Sequence, residues 1–157
     1  MPLGHNGPVP DNWPCSTFLV RHAWLSMRSM VAEALAEQGL SVAQFASLML
    51  LEEEPGMSVA DVARKVSTAR QSANELLSGL ERAGLVERRP HPTDRRSQQT
   101  FLTAAGHERL AIARPAVRAV ETRLSAGFTP EQLAVVEQWL TRMAAASGMP
   151  VEEIPTL

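Results

Sequence analysis

The stretch from Ser58 to Leu102 constrains this chain most: two helical segments, a tight turn and a proline-punctuated basic run follow one another with almost no spare residues. Ser58-Val-Ala-Asp61 opens a short helix, with the serine hydroxyl as N-cap and the aspartate near the positive end of the helix dipole. A tight turn spans Lys65–Thr68. Ser67 or Thr68 then caps a longer helix through Ala83, with Ala73, Leu76, Leu77 and Leu80 as its buried face and Gly84 as its stop. Leu85–Arg89 and Gln98–Leu102 read as two short strands around Pro90–Ser97, a proline-rich basic tip.

A short helix, a tight turn and a longer helix form the helix-turn-helix arrangement. Val62, Ala63 and Val66 can close on Ala73, Leu76 and Leu77, leaving Ala69, Arg70, Gln71 and Asn74 exposed at the start of the second helix, just after Ser67 and Thr68. Arginine can bridge the acceptors of guanine, and glutamine or asparagine can bridge adenine, so this tip suits the major groove of duplex DNA. For single residues there is a plainer alternative: Gln71 completing a capping box with Thr68, and Arg70 being an ordinary solvated side chain. The hairpin that follows carries Arg89 at the end of its first strand and Asp94-Arg95-Arg96 at its tip. Tip arginines can enter the minor groove or meet phosphates, and a carboxylate two residues away can hold one guanidinium in shape. Alternatively Asp94 and Arg96 only brace the turn.

The net charge of −2 taken alone argues against a polyanionic partner, but the charge is unevenly spread. Met57 to Thr100 holds eight Lys/Arg against five Asp/Glu, while the remainder holds seven against twelve. An acidic body with a basic middle is compatible with DNA, because phosphates respond to the local face.

Around the basic middle the chain reads as helices. Residues 1–12, with three prolines and two glycines, form an arm. A first helix from about Trp13–Ser16 to Glu37 carries Leu19, Ala23, Met27, Met30, Val31, Ala34 and Leu35 at helical spacing, and Gly39 stops it. Ser41-Val-Ala-Gln44 is a capping box for a helix to about Glu54. Thr103 precedes a helix over 104–126 with the stripe Leu110, Val117, Val120 and Leu124. Thr129-Pro130-Glu131-Gln132 starts a last helix carrying Leu133, Val136, Leu140 and Met143. The predicted fold is mainly α with a small β-hairpin wing. One domain covers 13–147, with a winged helix-turn-helix module over 41–103, dimerisation helices at 13–38 and 104–147, and a tail at 148–157. The outer helices carry more apolar surface than a lone module of about 60 residues can cover, which predicts a homodimer.

The run from Ser58 to Gly106 resembles the MarR family of bacterial regulators. The pieces that carry the likeness are Leu80-Glu81, then Gly84-Leu85-Val86-Glu87-Arg88, then Asp94-Arg95-Arg96, then Leu102-Thr103 with Gly106, and it extends over about residues 15–147. The resemblance implies a two-fold dimer joined through the first and last helices. It implies that the helix at Ser67–Ala83 reads the major groove of a pseudo-palindromic operator. It also implies that Arg96, held by Asp94, reaches the minor groove, and that a small amphipathic anion or phenol, or cysteine oxidation, releases the DNA.

His22, Trp24 and Arg28 on the first helix are the candidate effector contacts, offering a stacking face and cationic donors; Trp24 and Arg28 share a face, whereas His22 lies well round from it. Cys15 near the start of that helix is the candidate for thiol-based peroxide sensing, since a helix N-terminus favours a thiolate. It falls one residue early against the peroxide-sensing branch of the family, and the tyrosines of that branch have no counterpart in a chain without Tyr. Histidines at 5, 22, 91 and 107 make no metal-binding pair, and no cofactor is expected. No nucleophile, phosphate-loop or dinucleotide motif is present, so an enzyme is not expected. A winged-helix protein-interaction module without DNA binding is the remaining alternative. The single cysteine, the lack of a basic start with an apolar run, and no apolar stretch long enough for a bilayer predict a cytoplasmic, nucleoid-associated protein with no membrane contact.

Overall fold

The structure, a computed structural model, describes residues 11–66, 68–94, 97–146 and 157. Six helices and a two-stranded sheet follow in the order α1 (Ser16–Ala36), α2 (Val42–Glu53), α3 (Val59–Lys65), α4 (Arg70–Arg82), β1 (Val86–Pro90), β2 (Gln98–Leu102), α5 (Ala104–Ser125) and α6 (Pro130–Ala146). The mainly helical architecture with an antiparallel hairpin is the one expected from the sequence.

Local caps explain most boundaries. Ser41 Oγ accepts from Gln44 N at 3.1 Å while Ser41 N donates to Gln44 Oε1 at 2.8 Å. Ser58 and Asp61 exchange the same pair of bonds at 3.2 Å each, and Thr129 and Gln132 do so at 2.9 and 3.3 Å. Each box satisfies two backbone N–H groups that the helix itself leaves unpaired.

The start of α4 differs from expectation. Its N-cap is Ala69, which supplies no side-chain bond; Thr68 does not cap it, and Ser67 lies outside the described residues. Gln71, at the second helical position, donates to Glu75 Oε1 at 3.3 Å instead of closing a capping box with Thr68.

The hairpin pairs Val86 with Leu102, Arg88 with Thr100 and Pro90 with Gln98. Strand periodicity puts Val86, Arg88, Thr100 and Leu102 on the inner face, and Glu87, Arg89, Gln99 and Phe101 on the outer one. A third segment joins it: Gly56 N donates to Thr100 O at 2.9 Å and Thr100 N to Met57 O at 3.0 Å, forming a bridge before α3.

The chain leaves α4 through Gly84, whose φ of +72° requires the left-handed region. It enters α5 over a close contact. Thr103 N donates to Leu85 O at 3.1 Å, Thr103 Oγ1 donates to Gly84 O at 2.6 Å, and the same hydroxyl accepts from Gly106 N at 3.1 Å. A Cβ on Gly106 would collide with Leu85 O. This contact explains physically why Leu102-Thr103 is followed by a glycine three residues later.

Leu35, Leu48, Leu51, Leu77, Leu80 and Leu110 are fully buried where α1, α2, α4 and α5 meet, each stabilising the fold by about 1.5–3 kcal/mol. The outer helices are different. Leu19 on α1 is 55% exposed and Leu124 on α5 is 40% exposed, so the apolar stripes predicted there are only half used within one chain. No residue of α6 is buried. Among the described residues no helix is long and apolar enough to cross a membrane.

Candidate nucleic-acid interface

Arg70, Gln71 and Asn74 are exposed and line one open cleft of about 610 Å³, together with Ser58 and Val59 at the start of α3 and Ser97 and Gln98 at the tip end of the wing. The helix tip expected to read bases and the tip end of the hairpin's second strand therefore share a concave face. Thr68 and Ala69 are exposed at the entrance to α4.

Arg89 is folded back on its own strand. Its guanidinium pairs with the Glu87 carboxylate and lies 4.7 Å from the centre of the Phe101 ring, while the side chain stays 59% exposed. At the wing tip, His91 N donates to Ser97 O at 3.0 Å, Ser97 N donates to Asp94 O at 3.0 Å, and Asp94 N donates to His91 Nδ1 at 3.1 Å. The tip is thereby closed by its own backbone and a histidine. Arg95 and Arg96 lie outside the described residues, as does any contact of Arg96 with Asp94.

Arg88 was not among the expected residues. From the inner face of β1 its Nη1 donates to Asn74 Oδ1 at 3.1 Å, and its Nη2 donates to Asn74 O at 3.2 Å and to Ser78 Oγ at 2.9 Å. Its Nε lies 3.6 Å from Glu81 Oε2, an ion-pair distance too long for a hydrogen bond. The wing is thus bolted to three successive turns of α4. The available sequence signal was alternation: two residues after the core residue Val86, Arg88 must face inward too.

Electrostatic supports lie behind this face. Asp61 is held below the usual carboxylate range first by the Ser58 hydroxyl and then by Arg64, which pairs with it at 3.3 Å. Glu52 on α2 is lowered first by Arg114 on α5, 2.5 Å away, and also by His107 at 3.5 Å.

Trp24 and Arg28 border a second cleft, of about 480 Å³, walled by Val42, Ala46, Leu50, Val66 and Leu76, with Lys65 and Thr68 at its α3–α4 end. Lys65 Nζ pairs with Glu54 at 2.9 Å. His22 does not join them; it faces Phe18, ring centres 6.4 Å apart. Cys15 is the exposed N-cap of α1, its Sγ 3.1 Å from Thr17 Oγ1. The Thr17 hydroxyl and then the Phe18 N–H hold the thiol below its ordinary pKa.

A capped helix, a turn, an exposed polar helix and a tethered hairpin define a winged helix-turn-helix protein. Comparison with known proteins gives the narrower assignment. A profile described as MarR family matches residues 38–97. The HTH-type transcriptional repressor Rv2887 of Mycobacterium tuberculosis (strain ATCC 25618 / H37Rv) is 32% identical over 137 residues, which cover 87% of this chain and 98% of that protein. The transcriptional repressor CouR, solved bound to a 23-mer DNA duplex, superposes with a TM-score of 0.77 at 29% identity, covering 82% of this chain and 91% of that one. BpsR of Bordetella bronchiseptica, whose DNA binding is regulated by 6-hydroxynicotinic acid, shares the fold with a TM-score of 0.75 at 20% identity, over 82% of this chain and 98% of that one. The chain belongs to the MarR family of transcriptional regulators. These are DNA-binding winged-helix proteins and not enzymes.

Proposed function

We propose that two copies of this chain pair through α1, α6 and the end of α5, and repress transcription by binding a pseudo-palindromic operator in the cytoplasm. The pairing is carried by one observation. α6 presents Leu133, Val135, Val136, Trp139 and Leu140 at 36–51% exposure and has no fully buried residue within its own chain. Leu19 and Trp13 of the α1 end lie beside it along an apolar groove of about 600 Å³ that it forms with Val135, Val136 and Trp139. So large an apolar surface in water favours a partner, and a two-fold copy of the same surface is self-complementary. The dimer then offers two α4 tips about one helical turn of DNA apart.

In this reading Arg70, Gln71 and Asn74 address base edges, Ser67, Thr68, Ala69 and Arg89 approach the backbone, and Arg95 and Arg96 with Asp94 engage the adjacent groove. The cleft at Trp24 and Arg28 supports release by a small amphipathic anion or phenol, because an apolar wall faces a cationic rim. His22, turned toward Phe18, has no part in that cleft.

The test is a salt series of fluorescence titrations on the duplex next to the protein's own coding region. Binding weakens linearly in log Kd against log salt. Arg96→Ala lowers affinity for every duplex, whereas Arg70→Ala and Gln71→Ala also narrow the gap between operator and scrambled DNA. Unchanged affinity in all three variants contradicts the docking.

A further inference from the structure

Asparagine can present either end of its amide to a base, and which end is free decides what it reads. In this chain the partner settles it. A guanidinium can only donate, so the Asn74 atom that faces Arg88 Nη1 at 3.1 Å is the oxygen, Oδ1. The nitrogen, with its two hydrogens, is the end left for a ligand.

We propose that Arg88 is a positioning residue that makes Asn74 read chiefly as a donor, selecting guanine, with its adjacent N7 and O6 acceptors, over adenine. The inference rests on the docking of α4 in the major groove given above. The usual pairing of an asparagine with adenine uses both amide ends, donating to N7 and accepting from the N6 amine. Here one of the oxygen's two acceptor sites is already held by a cation, which fixes the amide and weakens the oxygen as a second acceptor, so the adenine pair is disfavoured. Guanine requires nothing of the oxygen.

The tether is firm because Arg88 is held independently of Asn74's side chain. Its second nitrogen donates to Asn74 O and to Ser78 Oγ, and Glu81 faces its Nε. Residues 74, 78 and 81 fall on one stripe of α4, so the guanidinium cannot follow the amide if it turns. The Arg88 side chain is only 12% exposed. Gln71 is held differently: among the described residues its side-chain bond is to Glu75, 3.3 Å and exposed, one that a base can displace.

The experiment is selection of bound duplexes from a randomised library by the full-length protein and three variants. Asn74→Ala identifies the base pair that Asn74 reads, as the one position whose preference collapses. At that position the parent favours guanine over adenine by about fivefold or more. Arg88→Met keeps the aliphatic stem, frees the amide oxygen, and moves the preference toward adenine. Asn74→Asp keeps a partner for Arg88 but turns an acceptor outward, and moves the preference from guanine to cytosine on the same strand; this arm decides the matter if Arg88→Met does not fold. Adenine at that position in the parent, an unchanged position in Arg88→Met or in Asn74→Asp, or no position altered by Asn74→Ala overturns the inference alone. A parent that enriches no sequence overturns the docking itself, and the inference with it.

Discussion

The passage from the wing into α5 makes a quantitative prediction, because the same substitution at two glycines should have opposite signs. Gly106 sits at the third position of α5, where an added Cβ would overlap Leu85 O and would also meet Leu85 C at 3.1 Å and Leu102 Cδ2 at 3.3 Å. Real side chains do not approach a carbonyl oxygen so closely, so the helix start or the Leu85 peptide must move. That movement strains the bonds Thr103 makes to Leu85 O and Gly84 O and the cap on Gly106 N. Two hydrogen bonds at about 1 kcal/mol each and a cap at about 1 kcal/mol are at stake. The gain in helix propensity from glycine to alanine returns at most about 1 kcal/mol. Gly106→Ala therefore destabilises by about 2 kcal/mol, a large fraction of a domain's stability. Gly79 lies inside α4, and a Cβ there meets nothing within 4 Å. Gly79→Ala stabilises by up to about 1 kcal/mol. Urea unfolding of both variants and the parent at one and the same protein concentration measures the two shifts. Two midpoints displaced in the same direction would refute the close-contact account of Gly106.

Three further outcomes follow from other parts of the molecule. The folded-state pKa of Glu52 is depressed by Arg114, so its stabilisation is present above the ordinary glutamate value of 4.5 and is lost as pH falls through the lower folded value; Glu52→Gln should lower stability at neutral pH and flatten the acid limb seen by thermal melts. Trp139→Glu, on the exposed face of α6, should halve the mass measured by light scattering and weaken operator binding by about a hundredfold, as expected when two linked contacts become one. Cys15 is fully accessible but has neither a second cysteine nor a tyrosine in the chain to complete a sensor, so Cys15→Ser and parent should release DNA equally under organic hydroperoxide; retention by the serine variant alone would install the peroxide-sensing alternative.

What could be read in the sequence was what is local. Ser41, Ser58, Thr103 and Thr129 cap their helices through residues three positions away, so each boundary is written within four letters. The start of α4 was misplaced because Ala69 caps without a side chain and leaves no such mark. Arg88 was missed for a different reason: its partners lie 10 and 14 residues away on another element, and only the folded hairpin brings them together. The Met57–Thr100 bridge is non-local in the same way. On α6 the apolar spacing is plain in the sequence, but spacing tells only that a face is buried, not by what. Of the candidate effector residues, helical geometry already separated His22 from Trp24 and Arg28; the cleft they border depends on α2, which periodicity in α1 cannot reveal.

The most direct measurement is hydroxyl-radical footprinting of the operator together with the protein-to-duplex ratio at saturation. Two chains per duplex, with two protected patches related by a dyad and centred about 10 base pairs apart, is the predicted result. Saturation at one chain, or a single unsymmetrical patch, would contradict paired recognition.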